Sequence, residues 1–143
     1  FGSALEEDMS GTRKNPLRSS EHGGQAALII WARLCERHVP ELRLLFAIPN
    51  QGAGRNKRLQ QEGVSPGYPD LALDVARGGF HGLRIEMKTK GGRLSAAQKR
   101  WHELLAEQGF MVATCWDWSS AQACILEYLS WVPASKALKM RDS

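Results

Sequence analysis

Two short apolar segments joined by a glycine-rich turn constrain the fold of this chain more than any other feature. Residues 71–75 and 83–88 flank residues 77–82, three of which are glycine. Apolar segments separated by such a turn are typical of a β-hairpin. Side chains alternate between the faces of a strand, so both apolar sets are buried together only if opposing position numbers sum to an even number. We therefore predict an antiparallel pair in such a register.

The other face of the same hairpin carries charged side chains. Asp70 precedes the first strand, and Glu86 and Lys88 lie in the second. A turn centred near Gly79 places Asp70 close to Lys88, with Glu86 on the adjacent diagonal. The pattern thus predicts two carboxylates and one ammonium group together at one end of the hairpin.

This trio suits metal-assisted hydrolysis. Mg²⁺ and Mn²⁺ prefer carboxylate and carbonyl oxygens, which Asp70, Glu86 and the backbone carbonyl of Met87 would supply. A bound metal lowers the pKa of its water and neutralises phosphate charge, and Lys88 would orient the attacking water or stabilise the developing charge. The alternative is a solvent-facing ion pair between Lys88 and a neighbouring carboxylate, because exposed charge pairs are common.

The remaining segments predict a small α/β domain. In chain order they are a helix over 21–36, a strand over 42–48, a loop over 49–69, the hairpin, a helix between Ser95 and Gly109, a strand over 110–116 and a helix after Ser119. Ser20 and Ser119 are N-cap candidates, and Ser95 with Gln98 matches a capping box. A strand–helix–strand connection is parallel. The order α-β-β-β-α-β-α therefore predicts a small mixed sheet with helices on both faces.

Length and composition agree with one globular domain. The 143 residues are 43% hydrophobic and 24% charged, which is ordinary for a folded domain. We predict a disordered tail over 1–19, opening on a tag-like Phe1-Gly2-Ser3, a folded domain over 20–131 and a second tail over 132–143. No stretch matches a signal peptide or a membrane span. Three cysteines without CxxC spacing argue against a disulfide framework or a zinc cluster and favour a reducing compartment.

The middle of the chain is basic. Residues 55–100 contain ten basic and four acidic residues, which favours a polyanionic partner such as nucleic acid. The candidates for DNA contact lie in the long loop and after the second hairpin strand: Asn50, Gln51, Arg55, Lys57, Arg58, Lys90 and Arg93. Such side chains position a phosphate backbone without reading its sequence. The alternative is a solvated, mobile loop.

Two further groups of side chains have competing interpretations. Asp74 shares the acidic face but lies farther from Glu86, so we expect it to pair with Arg84. Several tryptophans could stack on bases, although the spacing of Trp101 and Trp116 favours positions in the core.

The acidic pattern resembles a known nuclease signature. Pro69-Asp70 followed by Glu86-Met87-Lys88 is similar to the PD-(D/E)XK motif. Four further blocks occur in the same order as in the VRR-NUC (virus-type replication-repair nuclease) family: Glu21 with Gln25, Ile48-Pro49-Asn50-Gln51-Gly52, residues 63–71 and Leu94-Ser95-Ala96-Ala97-Gln98. The chain therefore resembles a VRR-NUC domain from residue 21 to about residue 129.

The resemblance implies a restriction-endonuclease-like core and a role for each matching residue. Asp70 and Glu86 match metal-binding acids, Lys88 the catalytic lysine, Glu21 an acid acting on the metal through water, Gln25 its neighbour one turn along, and Gln98 a site glutamine. Gln98 has a second explanation, because a capping box also requires glutamine there.

The resemblance also implies an activity and partners. It indicates a Mg²⁺- or Mn²⁺-dependent endonuclease that acts as a homodimer on branched DNA, including four-way (Holliday) junctions, in DNA repair. We expect a cytoplasmic, nucleoid-associated protein of a bacterium or phage. The alternatives are a non-catalytic DNA-binding module on the same fold and a hydrolase of small phosphate esters, although the second gives the basic loop no role.

Overall fold

A four-stranded mixed sheet forms the centre of the protein. The computed structural model describes residues 21–49 and 54–134. The strands are β1 (Leu45–Ala47), β2 (Leu71–Leu73), β3 (Leu83–Met87) and β4 (Met111–Cys115), in that spatial order. β1–β2 and β2–β3 are antiparallel, and β3–β4 is parallel. The predicted hairpin, crossover and mixed sheet are confirmed.

Helices lie on both faces of this sheet, also as predicted. They are α1 (Glu21–Cys35), a 3-10 helix (Pro40–Leu44), α2 (Lys57–Gln61), α3 (Ala96–Glu107) and α4 (Trp118–Ser130). α1 and α4 pack together on the apolar face of the hairpin, and α3 packs against β4. Within the described ranges, no helix has the length and apolar character that crossing a bilayer requires.

The core lies between the sheet and the α1–α4 pair. Its buried members include Leu28 of α1, Leu71 and Ile85 of the hairpin, and Ile125 of α4. Burying a side chain of this size contributes roughly 1.5–3 kcal/mol. The core is closed at one end by Tyr128, whose buried hydroxyl donates a hydrogen bond of 2.6 Å to the carbonyl of Val75.

Two predictions for the chain before β2 are wrong, one at the start of β1 and one in the segment between β1 and β2. The strand predicted over 42–48 begins only at Leu45, because Pro40 starts a 3-10 helix; proline suits a first helical turn. The segment predicted as a loop over 49–69 contains α2. The side chain of Asn56 caps this helix by accepting from the backbone N–H groups of Arg58 and Leu59, at 3.0 and 3.4 Å.

Side-chain capping hydrogen bonds mark where α3 and α4 begin, and a glycine follows the end of α3. The capping box of Ser95 is present, and Gly109 follows α3 with φ of +87°, as predicted for the residue after the helix. The predicted Ser119 cap of α4 is wrong. Asp117 caps that helix, because its carboxylate accepts from Ser120 N at 2.7 Å, while Ser119 Oγ donates to the same oxygen.

The chain termini extend past the described ranges. The predicted Ser20 cap and the tail over 1–19 lie outside the described residues, as do residues 135–143. Val132 and Pro133 still contact the hairpin turn: Gly78 N donates to the carbonyl of Val132 at 2.9 Å, and Arg77 pairs with Pro133. The chain therefore remains bound to the domain two residues beyond the predicted boundary at 131.

Candidate active site

The register of the β2–β3 hairpin sets which charged groups face each other. Leu71 pairs with Ile85, and Leu73 pairs with Leu83. These position numbers sum to an even number, as predicted, so the apolar side chains share one face. Continuing the same register places Asp70 opposite Glu86. The predicted register, which is centred near Gly79 and places Asp70 close to Lys88, is wrong. The observed register is centred on position 78, one residue earlier.

The turn explains the shift. Arg77 pairs with Phe80 across Gly78 and Gly79, whose φ values of +59° and +86° suit a tight two-residue turn. Between this pair and the regular ladder lie three residues on one side (74–76) but only two on the other (81–82). The turn alone would oppose positions that sum to 157, an odd number that places the two apolar sets on opposite faces. The extra residue on one side, as in a β-bulge, brings the sum to 156, so the apolar faces match and Asp70 lies opposite Glu86.

Asp70 is held between the ends of two strands. Its Oδ2 accepts a hydrogen bond of 2.8 Å from the backbone N–H of Met87 at the end of β3. Its backbone carbonyl accepts one of 2.8 Å from the N–H of Ile48, just after β1. The carboxylate is thus fixed at the end of β3, and the hairpin register places Asp70 opposite Glu86.

Glu86 is a buried acid. Only 3% of the residue is exposed, and Thr114 lies beside it in the β3–β4 register. Gln98 on α3 donates from Nε2 to Glu86 Oε1 at 2.7 Å. Buried carboxylates are rare because desolvation is costly. The burial therefore argues against the alternative of a solvent-facing ion pair for this acid.

Gln98 completes the predicted capping box and also contacts Glu86. Its side-chain Oε1 accepts from Ser95 N at 2.8 Å, and its backbone N–H donates to Ser95 Oγ at 3.2 Å. These two hydrogen bonds complete the capping box. The opposite end of the same amide donates to Glu86. One side chain therefore sets both the start of α3 and the orientation of the acid.

Lys88 follows β3 on the same alternating face as Glu86. Its backbone N–H donates to the carbonyl of Cys115 at 2.9 Å, and its side chain is half-buried. His102 of α3 lies near it. Burial, together with the positive charge of Lys88, holds the pKa of His102 below its usual range. The Nε2 atom of His102 is buried and has no hydrogen-bond partner within the described part of the chain.

The sequence motifs did not single out His102. A usable signal was present. His102 follows Gln98 by four residues, so the two share one face of a helix, and the capping box already fixed where that helix begins.

A glycine allows the loop that carries Asp70 to approach α3. Gly67 has φ of +87°, and a Cβ there would lie 2.7 Å from the carbonyl carbon of Ala97. No L-residue with a side chain fits this position without moving backbone. The loop and the first turn of α3 are thus packed directly together, which brings Asp70 and Gln98 to one region.

The predicted pair of Asp74 and Arg84 is confirmed at 3.1 Å. The Arg84 guanidinium also donates to Tyr68 Oη at 3.3 Å and lies 4.4 Å from the ring centre of Phe110. Asp74 therefore belongs to a structural cluster with Arg84, and it is not a partner of Glu86.

The oxygen donors at the end of the hairpin fit a hard divalent cation. They are the carboxylates of Asp70 and Glu86 and the carbonyl of Met87, the ligand types that Mg²⁺ and Mn²⁺ prefer. Residues 21–49 and 54–134 contain no cluster of three or more His, Cys, Asp or Glu side chains that could hold a metal by themselves. Two acids and a carbonyl leave positions for water and substrate phosphate oxygens.

The first turn of α1 lies near the same strand end. A Cβ at Gly24 would be 3.6 Å from Met87 Cε. Glu21 is the first residue of α1, but its side chain lies outside the described part, and Gln25 is half-buried one turn later. Their predicted roles remain predictions.

The predicted DNA-binding residues fall into two surface groups. Arg55 and Lys57 are exposed at the start of α2, and exposed Arg58 pairs with Glu62 at 3.1 Å. Asn50 and Gln51 lie outside the described residues. The second group comprises Lys90 and Arg93, which are exposed in the turn that follows Lys88.

Trp116 is not a core residue, contrary to prediction. It is 48% exposed, and its Nε1 donates to the carbonyl of Gly92 at 3.1 Å. It therefore anchors the Lys90–Arg93 turn to the end of β4.

A mixed sheet with acids, an amide and a lysine at one end of a hairpin is an arrangement of nuclease-type α/β domains. The VRR-NUC domain model matches residues 12–116, and the chain belongs to this family, as its motifs predict. The family implies a nuclease-type domain that processes DNA. A solved structure described as a VRR_NUC domain protein has 29% sequence identity and a TM-score of 0.68, covering 79% of this chain and 90% of that one. Comparison with curated proteins finds no match.

Proposed function

We propose that this domain is a divalent-metal-dependent endonuclease that hydrolyses DNA phosphodiester bonds, with Asp70, Glu86 and Lys88 as its active-site residues. The observation that carries the proposal is the buried Glu86 carboxylate, oriented by Gln98 at 2.7 Å and lying opposite Asp70 in the hairpin register. Burying an acid has a free-energy cost that a structural surface pair does not require. Asp70 and Glu86 would together hold a divalent cation, whose charge would offset the repulsion between two carboxylates.

The proposed metal ligands are Asp70, Glu86 and the Met87 carbonyl, with Glu21 acting through water. Bound there, Mg²⁺ or Mn²⁺ neutralises charge on the scissile phosphate and lowers the pKa of a water molecule. The hydrogen bond from Met87 N to Asp70 and that from Gln98 to Glu86 hold the two carboxylates in place before substrate arrives. Such preorganisation avoids reorganisation during the reaction.

Lys88 is the proposed cationic group of the reaction. It follows Glu86 by two residues, so its ammonium group is directed to the same face of the sheet. There it donates a hydrogen bond to a phosphate oxygen or to the attacking water, and it stabilises negative charge that develops on the phosphate. The neutral imidazole of His102 adds no competing positive charge beside it.

DNA is the proposed substrate because two groups of exposed cations lie in the segments before Asp70 and after Lys88. We propose that Arg55, Lys57 and Arg58 in the first group and Lys90 and Arg93 in the second hold phosphates, and that Asn50 and Gln51 also contact DNA. We further propose branched DNA, including four-way junctions, as the substrate, and a role in DNA repair near the nucleoid. A two-fold homodimer would present two active sites to two strands.

Labelled linear, flapped and four-way-junction DNA, each incubated with Mg²⁺, Mn²⁺ or EDTA, tests this proposal. We expect metal-dependent cleavage by the wild type and none by Glu86→Gln, with junction affinity in EDTA nearly unchanged, because the substitution keeps shape but removes charge. Asp74→Asn is the matched control, since it neutralises the acid of the same hairpin that pairs with Arg84. Its cleavage should persist.

Two results would contradict the proposal. Undiminished cleavage by Glu86→Gln would remove this acid from the site. Tight DNA binding without cleavage under any metal condition would favour the non-catalytic DNA-binding module.

A further inference from the structure

A pocket of about 450 Å³ opens beside the candidate active site. Its walls come from the segment after β1, from the loop that leads to Asp70, and from α3. The lining residues are Ile48, Pro49, Glu62, Gly63, Val64, Ser65, Tyr68 and Trp101. The volume lies within the range of roughly 300–1,000 Å³ that is usual for ligand pockets.

Two aromatic rings form one wall of this pocket. Tyr68 and Trp101 pack edge to face, with ring centres 5.1 Å apart and an angle of 66° between their planes. Trp101 Nε1 donates to Ser65 Oγ at 3.2 Å, and Tyr68 Oη accepts from Arg84 at 3.3 Å. Because both polar ends are bonded to protein, the orientations of the rings are set and their apolar surfaces remain for packing.

The pocket shares two supports with the candidate active site. Trp101 follows Gln98, the partner of Glu86, by three residues on α3. Ile48, which lines the pocket, donates its backbone N–H to the carbonyl of Asp70 at 2.8 Å. The pocket therefore adjoins the segments that hold Asp70 and Glu86.

The chemistry of the walls selects the occupant. Of the eight lining residues only Glu62 is charged, and its carboxylate is bound to Arg58 at 3.1 Å. Within the described part of the chain no Lys or Arg side chain lines the pocket, so it does not suit a phosphate. An uncharged, flat group with polar edges suits it, because aromatic rings stack on any nucleobase and Ser65 and Glu62 offer oxygen atoms at the rim.

We propose that this pocket receives an unpaired nucleobase of the strand that is cut, next to the scissile phosphate. The inference rests on the proposed function and deepens it. A base in a duplex must leave its stack to enter such a pocket, which costs least where the DNA is mismatched or already single-stranded. The pocket therefore makes the domain select unpaired nucleotides beside the cleavage position.

The test is a series of labelled flapped DNA molecules, each with one abasic site moved stepwise past the junction. Affinity is measured in EDTA, so the readout does not require catalysis. For the wild type we expect one position at which loss of the base weakens binding about tenfold, the order of a base–aromatic stack. Val64→Phe, which fills the pocket, should bind intact DNA correspondingly more weakly and lose this sensitivity.

Two further variants keep the result interpretable. Val132→Phe adds the same ring at an exposed valine away from the pocket, and it should retain the wild-type profile. If Val64→Phe does not fold, as judged by circular dichroism, Trp101→Leu removes the stacking surface instead and should give the same loss of sensitivity.

The outcomes separate this inference from the proposed function. A wild type with no sensitive position, or a Val64→Phe profile equal to that of the wild type, would overturn the pocket assignment, as expected if the chain itself or a second copy fills the space. Metal-dependent cleavage would survive that result. One sensitive position in a protein that cleaves nothing would support the pocket and contradict the nuclease.

Discussion

Gln98 donates from Nε2 to Glu86 Oε1 at 2.7 Å while its own Oε1 accepts from the backbone N–H of Ser95 at 2.8 Å. The two ends of one amide thus join the first turn of α3 to the buried acid on β3. The position of that turn therefore helps to orient Glu86. The helix cap is therefore part of the candidate active site.

The two roles of Gln98 can be separated by substitution. Gln98→Glu keeps an oxygen that accepts from Ser95, since glutamate also completes a capping box, but it places a second carboxylate against Glu86. We expect a loss of cleavage on the order of tenfold or more, the size of a hydrogen bond to a charged group, and lower stability without metal because the two carboxylates repel each other. Ser95→Ala should instead cost about 1 kcal/mol of unfolding free energy with cleavage retained. Urea unfolding and single-turnover cleavage measure the pair, and an equal loss of cleavage in both variants would refute the separation.

Lys88→Ala should slow cleavage about 10²- to 10³-fold, the range for removing a group that stabilises developing charge. Because the metal ligands remain, the affinity for Mn²⁺, measured by calorimetry, should change little. Lys99→Ala, which removes an exposed lysine on α3, is the control and should cleave normally. A Lys88→Ala protein that cleaves at the wild-type rate would exclude the proposed role.

Replacing Arg55, Lys57 and Arg58 together with glutamine should flatten the salt dependence of DNA affinity. Each phosphate contact contributes about 0.9 to the slope of log affinity against log salt on duplex DNA, so the slope should fall by about that amount for every cation in contact. Arg43→Gln, an exposed arginine of the 3-10 helix, is the comparison. An unchanged slope would show that the start of α2 does not touch phosphates.

Stability should fall in mildly acidic solution because of His102. Burial and the charge of Lys88 hold the pKa of His102 below 6.5 in the folded protein. Below pH 6.5 the unfolded chain takes up a proton that the folded protein resists, so the free energy of unfolding decreases as pH falls. His102→Gln should reduce this slope, and Lys88→Met should reduce it in part. Urea titrations between pH 5 and pH 7.5 measure it, and equal slopes in all three proteins would contradict the assignment.

Local patterns were sufficient wherever the physics was local. Alternation placed Asp70 and Glu86 on one face, Ser95 and Gly109 delimited α3, and Asp74 pairs with Arg84 as predicted. The cap at Asp117 and helix α2 were missed, although Asn56 and Asp117 are common capping residues, because serine and glycine-rich loop signals were given priority. The capping signals of Asn56 and Asp117 are therefore present in the sequence itself.

Other features depend on contacts between distant segments. The two-residue turn and the extra residue at 74–76 together place Asp70 opposite Glu86 rather than Lys88. The alternating pattern does not distinguish these two registers, because both have an even sum. Trp116 lies at the surface, where its indole donates a hydrogen bond to the carbonyl of Gly92 in a separate turn. The aromatic pocket requires Ser65, Tyr68 and Trp101 to meet across 36 residues of sequence.

The sequence by itself determined the fold class and the family and singled out the candidate acids and lysine, because periodicity, capping and ordered motifs are written in neighbouring residues. Only the tertiary structure decided that Glu86 is buried, that Gln98 holds it, that His102 lies near Lys88 and that a pocket adjoins them. Burial and the proximity of charges are properties of how separate elements pack, and short-range patterns do not specify the distances between those elements.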